Sequence, residues 1–313
     1  MMGHYRLSIV FFVLSALLAA TLPMTGCVGR PSAITHLHCE LRTDAGGVRT
    51  YWVTENGDLD LTLSASLRGA GPTEVLFGLF VDGRQWPAVW DGQQAMLKPV
   101  TLGPDSSQEV EFGIRGLPQG VHALYLLCVV LPTCGRNLTE SHIMHTQIAM
   151  YPFTVESRSP IGPLPDKVVS ATPGPDTAVL QAIGLRGVLC VSANDLAIDL
   201  SFDIRDRQTL YYAWRNDSDG PVQVRFVLLV DWLQTPWPTQ DAEALEFRAE
   251  PSQAVLEEID LSALPIDDMS YLVVVAFLRP LLPMWLLDDS GQVYLDPEGG
   301  DAFSSNCVVV LGP

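Results

Sequence analysis

Gly71-Pro72-Thr73-Glu74-Val75-Leu76-Phe77-Gly78-Leu79-Phe80-Val81-Asp82 aligns without a gap on Gly220-Pro221-Val222-Gln223-Val224-Arg225-Phe226-Val227-Leu228-Leu229-Val230-Asp231. The offset is 149 residues, and it carries downstream to pair Gln85 with Gln234 and Pro87 with Pro236. A second block pairs Phe112, Ile114, Leu117 and Pro118 with Ile259, Leu261, Leu264 and Pro265. A third sets the apolar run before Leu131-Pro132 beside the run before Arg279-Pro280. Cys39 and Cys190 fall near the same point of each half. One unit has been copied once, and the small drift in offset is what loops in a duplicated domain produce.

Within each half the pattern is β. Leu59, Leu61, Leu63, Ala65 and Leu67 alternate with Asp60, Thr62, Ser64 and Ser66, the period of a half-buried strand. Short Val, Leu, Phe and Tyr runs are punctuated by Gly, Pro, Asn and Asp, giving about six or seven strands per half. Asp241–Arg248 and Ala254–Glu258 carry helix-forming residues, but their repeat partners have no helical promise, so the duplication outweighs local propensity. The expected fold is all-β: two tandem immunoglobulin-like or fibronectin III-like sandwiches, at 35–156 and 178–313. Ser157–Thr177, with prolines 160, 163, 165, 173 and 175, is expected to be a semi-extended linker that builds no ladders.

Composition narrows the function. The 313 residues hold 18 Lys plus Arg against 36 Asp plus Glu, a net charge of −18, which excludes the basic footprint of a nucleic-acid binder. Charged residues are 17% and hydrophobic ones 48%, the opposite of a disordered chain. Twenty-three Pro and 25 Gly disfavour a helical bundle.

Residues 1–27 read as a secretory signal: Arg6, then the apolar run Leu7–Ala20, too short to span a bilayer comfortably. Its end, Met24-Thr25-Gly26-Cys27, resembles the lipobox of bacterial lipoproteins, which implies diacylation of Cys27, a tether over 28–34 and a membrane contact through lipid. Ordinary cleavage near Ala19-Ala20, leaving Cys27 a plain thiol, is the other reading. Either places the mature chain outside the cytoplasm in the cell envelope, where disulfides are allowed. In the second half Asp267-Asp268-Met269-Ser270-Tyr271 resembles the Asp-x-x-x-Tyr corner of immunoglobulin-like domains, which implies a Tyr271 hydroxyl tying down its turn.

Five cysteines remain after Cys27. Cys190 and Cys307 lie on the first and last strands of the second half and are expected to form a clasp; Cys39 meets Cys134 or Cys128, with Cys128 the expected spare thiol. All five mature histidines lie in the first half: His36-x-His38-Cys39, His122 and His142-x-x-His145. Those spacings suit a transition metal, although exposed loops and a flexible start explain them as well. Asn216-Asp217-Ser218-Asp219-Gly220 and Asp288-Asp289-Ser290-Gly291, through Asp296 and Asp301, supply oxygens for calcium, but neither fits an EF-hand and both fit ordinary turns. No nucleophile elbow, zincin helix or phosphate loop is present, so no catalytic residue is assigned and no cofactor is expected.

The last candidate is a surface: Pro280-Leu281-Leu282-Pro283-Met284-Trp285-Leu286-Leu287, an apolar stretch in a long connection between the last two strands of the second half. It either meets a partner or folds back over a sheet edge or the seam between halves. Trp86, Trp90, Trp232 and Trp237 follow the matched strand in both halves and suit packing. The expected function is a non-catalytic envelope module that contacts a protein or polysaccharide through its loops. The alternatives are metal capture by the first half, and an enzyme with a site between the halves.

Overall fold

The computed structural model describes residues 36–42, 49–68, 72–130, 147–163, 167–171, 173–174, 187–192, 201–203, 206–240, 242–288 and 290–312. The first copy runs through β1 (His36–Arg42), β2 (Tyr51–Thr54), β3 (Leu59–Arg68), β4 (Thr73–Val81), β5 (Arg84–Trp86), β6 (Ala88–Trp90), β7 (Gln93–Ala95), β8 (Leu97–Leu102), β9 (Ser107–Ile114), β10 (Gly120–Val130) and β11 (Gln147–Ser157). One sheet has the order β1-β3-β9-β6-β7; the facing sheet has β2-β11-β10-β4-β5, with β8 also on β4. Pro87 separates β5 from β6, and there the chain passes from one sheet to the other.

The second copy runs through β12 (Val168–Ser170), β13 (Val188–Cys190), β14 (Ser201–Asp203), β15 (Thr209–Arg215), β16 (Val222–Val230), β17 (Leu233–Thr235), β18 (Ala244–Ala249), β19 (Ala254–Asp260), β20 (Met269–Leu278), β21 (Trp285–Leu287), β22 (Val293–Leu295), β23 (Asp301–Ser304) and β24 (Val308–Leu311). Its sheets are β13-β15-β19 and β12-β18-β16-β20-β24-β14, with β17 on β16 and β23 on β20. The copies agree even in an unusual detail: each carries a parallel edge strand, β2 on β11 and β14 on β24. Both are immunoglobulin-like sandwiches.

The sheets stack in four layers. Inside the first sandwich Leu63, Leu67, Phe77, Trp90, Phe112, Leu126 and Val155 meet, with Trp90 stacked on Phe112 at 4.7 Å. Inside the second, Tyr212, Trp214, Phe226, Trp237, Val274 and Val310 do the same. A third cluster lies between the sandwiches, joining Phe80, Tyr125, Leu127 and Val129 to Val227, Leu229, Val273, Val275 and Phe277. On β10 the residues Leu124, Leu126 and Cys128 face their own core while Tyr125, Leu127 and Val129 face the other copy. On β20 Val274 and Ala276 face inward, Val273, Val275 and Phe277 outward. The two-sided burial explains why these strands are apolar without a break, whereas β3, covered on one face, alternates.

Two expectations change. The linker does build ladders: Val168–Ser170 pairs parallel with Ala244–Glu246, Ala171 donates to the Glu246 carbonyl, and Pro173 bridges Val255. A proline-rich run can do this at a sheet edge, where an absent N–H faces outward. As the duplication implied, the stretches with helix-forming residues are strands, because register with β16 and β15 outweighs local preference. Tyr271 is no corner residue; its ring stacks on Trp232 at 5.6 Å, and the turn is held instead by the Ser270 hydroxyl, which accepts the Asp267 N–H.

Candidate functional site

Two features of the surface stand beside the seam between the copies. The first grows from a turn the duplication preserved. Each matched strand ends in a two-residue turn with both residues at positive φ: Asp82 (52°) and Gly83 (73°), Asp231 (49°) and Trp232 (71°). These are the values of the type I′ turn that suits strand twist. Asp82 bonds Ala123 twice, accepting its N–H on Oδ1 at 2.9 Å and donating its own N–H to the Ala123 carbonyl at 2.8 Å. Asp231 repeats this with Tyr271, at 2.9 Å in both directions.

Beside the first turn is a cleft of about 200 Å³ lined by Asp82, Arg84, Trp86, Gln119 and His122 from the first copy and Arg225 and Leu281 from the second. His122 is buried on β10, not in the exposed loop the sequence suggested. Its Nδ1 meets Asp82 Oδ2 at 2.7 Å and its Nε2 meets the Pro118 carbonyl at 2.9 Å. Both neighbours are acceptors, so both bonds form only when the ring carries two protons. Burial opposes that charge, but the Asp82 carboxylate, helped by the Pro118 carbonyl, outweighs it and the pKa is raised. Arg225, also buried, is held by Glu246 and donates to the Asp82 carbonyl at 2.9 Å; Arg84 pairs with Glu243. The charges of this cleft are committed to one another, and they fasten the two copies together.

The second feature is the apolar stretch 280–287, which becomes one arm of a hairpin. Among the described strands β21 pairs only with β22, as Trp285↔Leu295, Leu286↔Tyr294 and Leu287↔Val293. The root is seated on the first copy: the Trp285 N–H donates to Thr154 Oγ1 at 3.3 Å, β21 lies against β2 and β11, and β23 lies against β11. The Gly300 N–H donates to the Leu282 carbonyl at 2.8 Å, and the Asp296 N–H to the Met284 carbonyl at 2.8 Å. A Cβ on Gly300 would come within 2.6 Å of that Leu282 oxygen, so only glycine closes this root. At the tip Asp288 Oδ1 accepts from the Ser290 N–H (2.9 Å), the Ser290 hydroxyl (2.7 Å) and the Gln292 N–H (2.8 Å). The hydroxyl of Ser290 and then the Gln292 N–H hold the Asp288 carboxyl below its ordinary range.

The hairpin displays apolar side chains. Of the twelve large exposed hydrophobics among the described residues, Leu281, Leu282, Leu287, Val293, Tyr294 and Leu295 belong to this one excursion, with Leu281 61% exposed. Trp285 and Leu286 are half-buried at its base. The root of the loop therefore folds back on the first copy, while its arms face solvent.

The other expected sites are dispersed or fall outside the described residues. Cys27, Cys134, His142 and His145 are outside them, as is the connection 131–146 that corresponds to the hairpin. His36 and His38 pair with Arg68 and Ser66 along β1; His38 bonds Glu40 at 3.0 Å. Among the described residues no three His, Cys, Asp or Glu gather in the way a metal needs. Asn216 is buried and spends its side chain on Gly220, Ala249 and Ser218, so it organises the acidic turn after it as an ordinary turn. The expected Cys190–Cys307 clasp does not form. Cys190 packs with Ala213 and Ala254, its Sγ 3.5 Å from the Tyr211 carbonyl, while Cys307 is a thiol in the cluster between the sandwiches. Cys39 and Cys128 are both thiols, their Sγ atoms 3.7 Å apart, and Cys134, the other expected partner of Cys39, lies outside the described residues. Trp90, Trp232 and Trp237 pack as expected, and Trp86, packed against the first core, also lines the cleft and donates to the Arg115 carbonyl. The Asp82–His122 clamp was missed in the sequence. Its only signal was the Asp closing both matched strands.

No family model matches this chain, and no curated protein does. Solved structures that resemble it include the CARDB domain of a Pyrococcus furiosus protein in complex with di-metal ions (13% identity, 39% of this chain and 93% of that one, TM-score 0.23). The E. coli chaperone DraB is another (11% identity, 86% and 96%, TM-score 0.28). A red sea bream transglutaminase is a third (10% identity, 99% of this chain and 34% of that one, TM-score 0.25). At such scores the likeness carries no argument about function.

Proposed function

We propose that this chain is a lipid-anchored, non-catalytic binding protein of the cell envelope, and that the hairpin Trp285–Leu295 holds a protein partner offering an apolar face with a basic rim. One observation carries the reading: half of the large exposed hydrophobics among the described residues sit on a single hairpin excursion whose root and tip are both tied by hydrogen bonds. Apolar clusters of this kind on soluble domains mark interaction surfaces, and a held loop binds without the cost of ordering it. Asp288, Asp296 and Glu298 border the patch, and the chain as a whole carries −18, so complementarity favours a cationic surround on the partner. The buried Asp82–His122 pair supports the non-catalytic half of the reading: both ring nitrogens are bound to protein acceptors, leaving neither to take a proton from a substrate.

A photo-crosslinking amino acid at Tyr294, with one at exposed Met96 as control, tests this in envelope preparations. The expected result is a discrete protein adduct at Tyr294 only, lost when Leu287 and Leu295 become Ser. Equal labelling at both positions, or an adduct made of polysaccharide, contradicts the proposal.

A further inference from the structure

Cys39 lies on β1, the edge strand of the outer sheet, which among the described strands is held by β3 alone. Cys128 lies on β10, in the middle of the facing sheet, between Phe77 on β4 and Ala149 on β11. Their side chains cross the first core and bring the two sulfurs to 3.7 Å, farther than a bond and near enough for side-chain rotation to close the gap. Cys39 is partly accessible and Cys128 is fully buried, so a reagent reaches the first and only the first reaches the second. Apolar residues of the first core pack around the pair, and Tyr151 is its polar neighbour; the Tyr151 hydroxyl donates to the Leu37 carbonyl at 3.3 Å.

We infer that Cys39 and Cys128 are a disulfide site, closed by exchange with an oxidised thiol–disulfide carrier, and that the bond locks the edge strand β1 onto the core. The Cys39 thiolate attacks a carrier sulfur, forming a mixed disulfide and releasing one carrier thiol. Cys128 then attacks the Cys39 sulfur, its proton passing to the departing carrier sulfur, forming the protein disulfide and releasing the second carrier thiol. The two protein thiols lose two electrons and two protons, and the carrier disulfide gains them. The two cysteines are 89 positions apart, and a cross-link closing a loop of that length restricts the unfolded chain strongly. β1 gains a second hold, across the core instead of along the sheet.

The test uses the purified full chain, reduced and then exposed while folded to oxidised glutathione, with peptides mapped without reduction. The expected product is a Cys39–Cys128 linked peptide lighter by two hydrogens, with Tm raised by roughly 5–15 °C over the reduced form. Cys134→Ser keeps both results and Cys39→Ser abolishes both. Cys39→Ser sits at a half-exposed edge, so it serves where Cys128→Ser fails to fold. A Cys39–Cys134 peptide, or full alkylation of both Cys39 and Cys128 after oxidation with no change in Tm, overturns the inference.

Discussion

Gln85 and Gln234, 149 positions apart, hold each other reciprocally: the Gln85 N–H donates to Gln234 Oε1 at 2.7 Å, and the Gln234 N–H donates to Gln85 Oε1 at 2.7 Å. Equivalent residues trading equivalent bonds is the mark of a two-fold relationship, here between two halves of one chain. The Gln85 amide also reaches the Trp232 carbonyl at 2.9 Å, and the Gln234 amide reaches the Glu243 carbonyl at 2.9 Å. Gln85→Ala or Gln234→Ala leaves a backbone N–H unpaired at the seam and is expected to cost about 1–3 kcal/mol each. Because the bonds form one network, the double variant should cost less than the sum, and a double-mutant cycle by urea unfolding measures the difference.

Trp232 holds a left-handed conformation that glycine takes at the matching position, Gly83. Trp232→Gly would relieve about 1 kcal/mol of strain but remove a buried ring that stacks on Tyr271, a loss of about 3–5 kcal/mol. A net loss of roughly 2–4 kcal/mol is expected in equilibrium unfolding.

The clamp on His122 gives stability a pH dependence of known sign. Its pKa is raised in the folded chain, against burial, by Asp82 and Pro118. Its contribution is therefore complete below the unfolded value of about 6.5 and is lost as pH rises through the folded value. A neutral ring has one N–H and must give up one of its two bonds. Stability should fall on the alkaline side of that window, and His122→Gln should flatten the decline; urea melts at a series of pH values decide it.

Hairpin residues should be dispensable for folding if their role is display. Leu287→Ser and Leu295→Ser remove exposed side chains and are expected to change stability by no more than about 0.5 kcal/mol. Trp285→Ala, half-buried at the root, should cost more. Chemical denaturation of the three variants checks the order.

Much of this fold is legible in the order of the residues. The match of Thr73–Asp82 to Val222–Asp231 reveals the duplication, and the alternation of Leu59–Leu67 marks a strand covered on one face. The unbroken runs in β10 and β20 also state that these strands are covered on both faces, yet apolarity alone does not say what covers the second. That is settled by which strands the topology makes central. The proline-rich segment misled because a missing N–H forbids a place inside a sheet but not at its edge. The cysteine pairs were only partly legible. Position on first and last strands does not set where a side chain points, so Cys190 and Cys307 part, while Cys39 and Cys128 meet across a core that no linear spacing reveals.

Scanning calorimetry of the full chain tests the back-to-back union of the two copies most directly, because Phe80, Leu127, Val227, Leu229 and Phe277 form a cluster that is buried only while both copies are folded. One endotherm is expected, with calorimetric and van't Hoff enthalpies in agreement. Two resolved transitions, with the lower one leaving a fully folded partner copy, would contradict it.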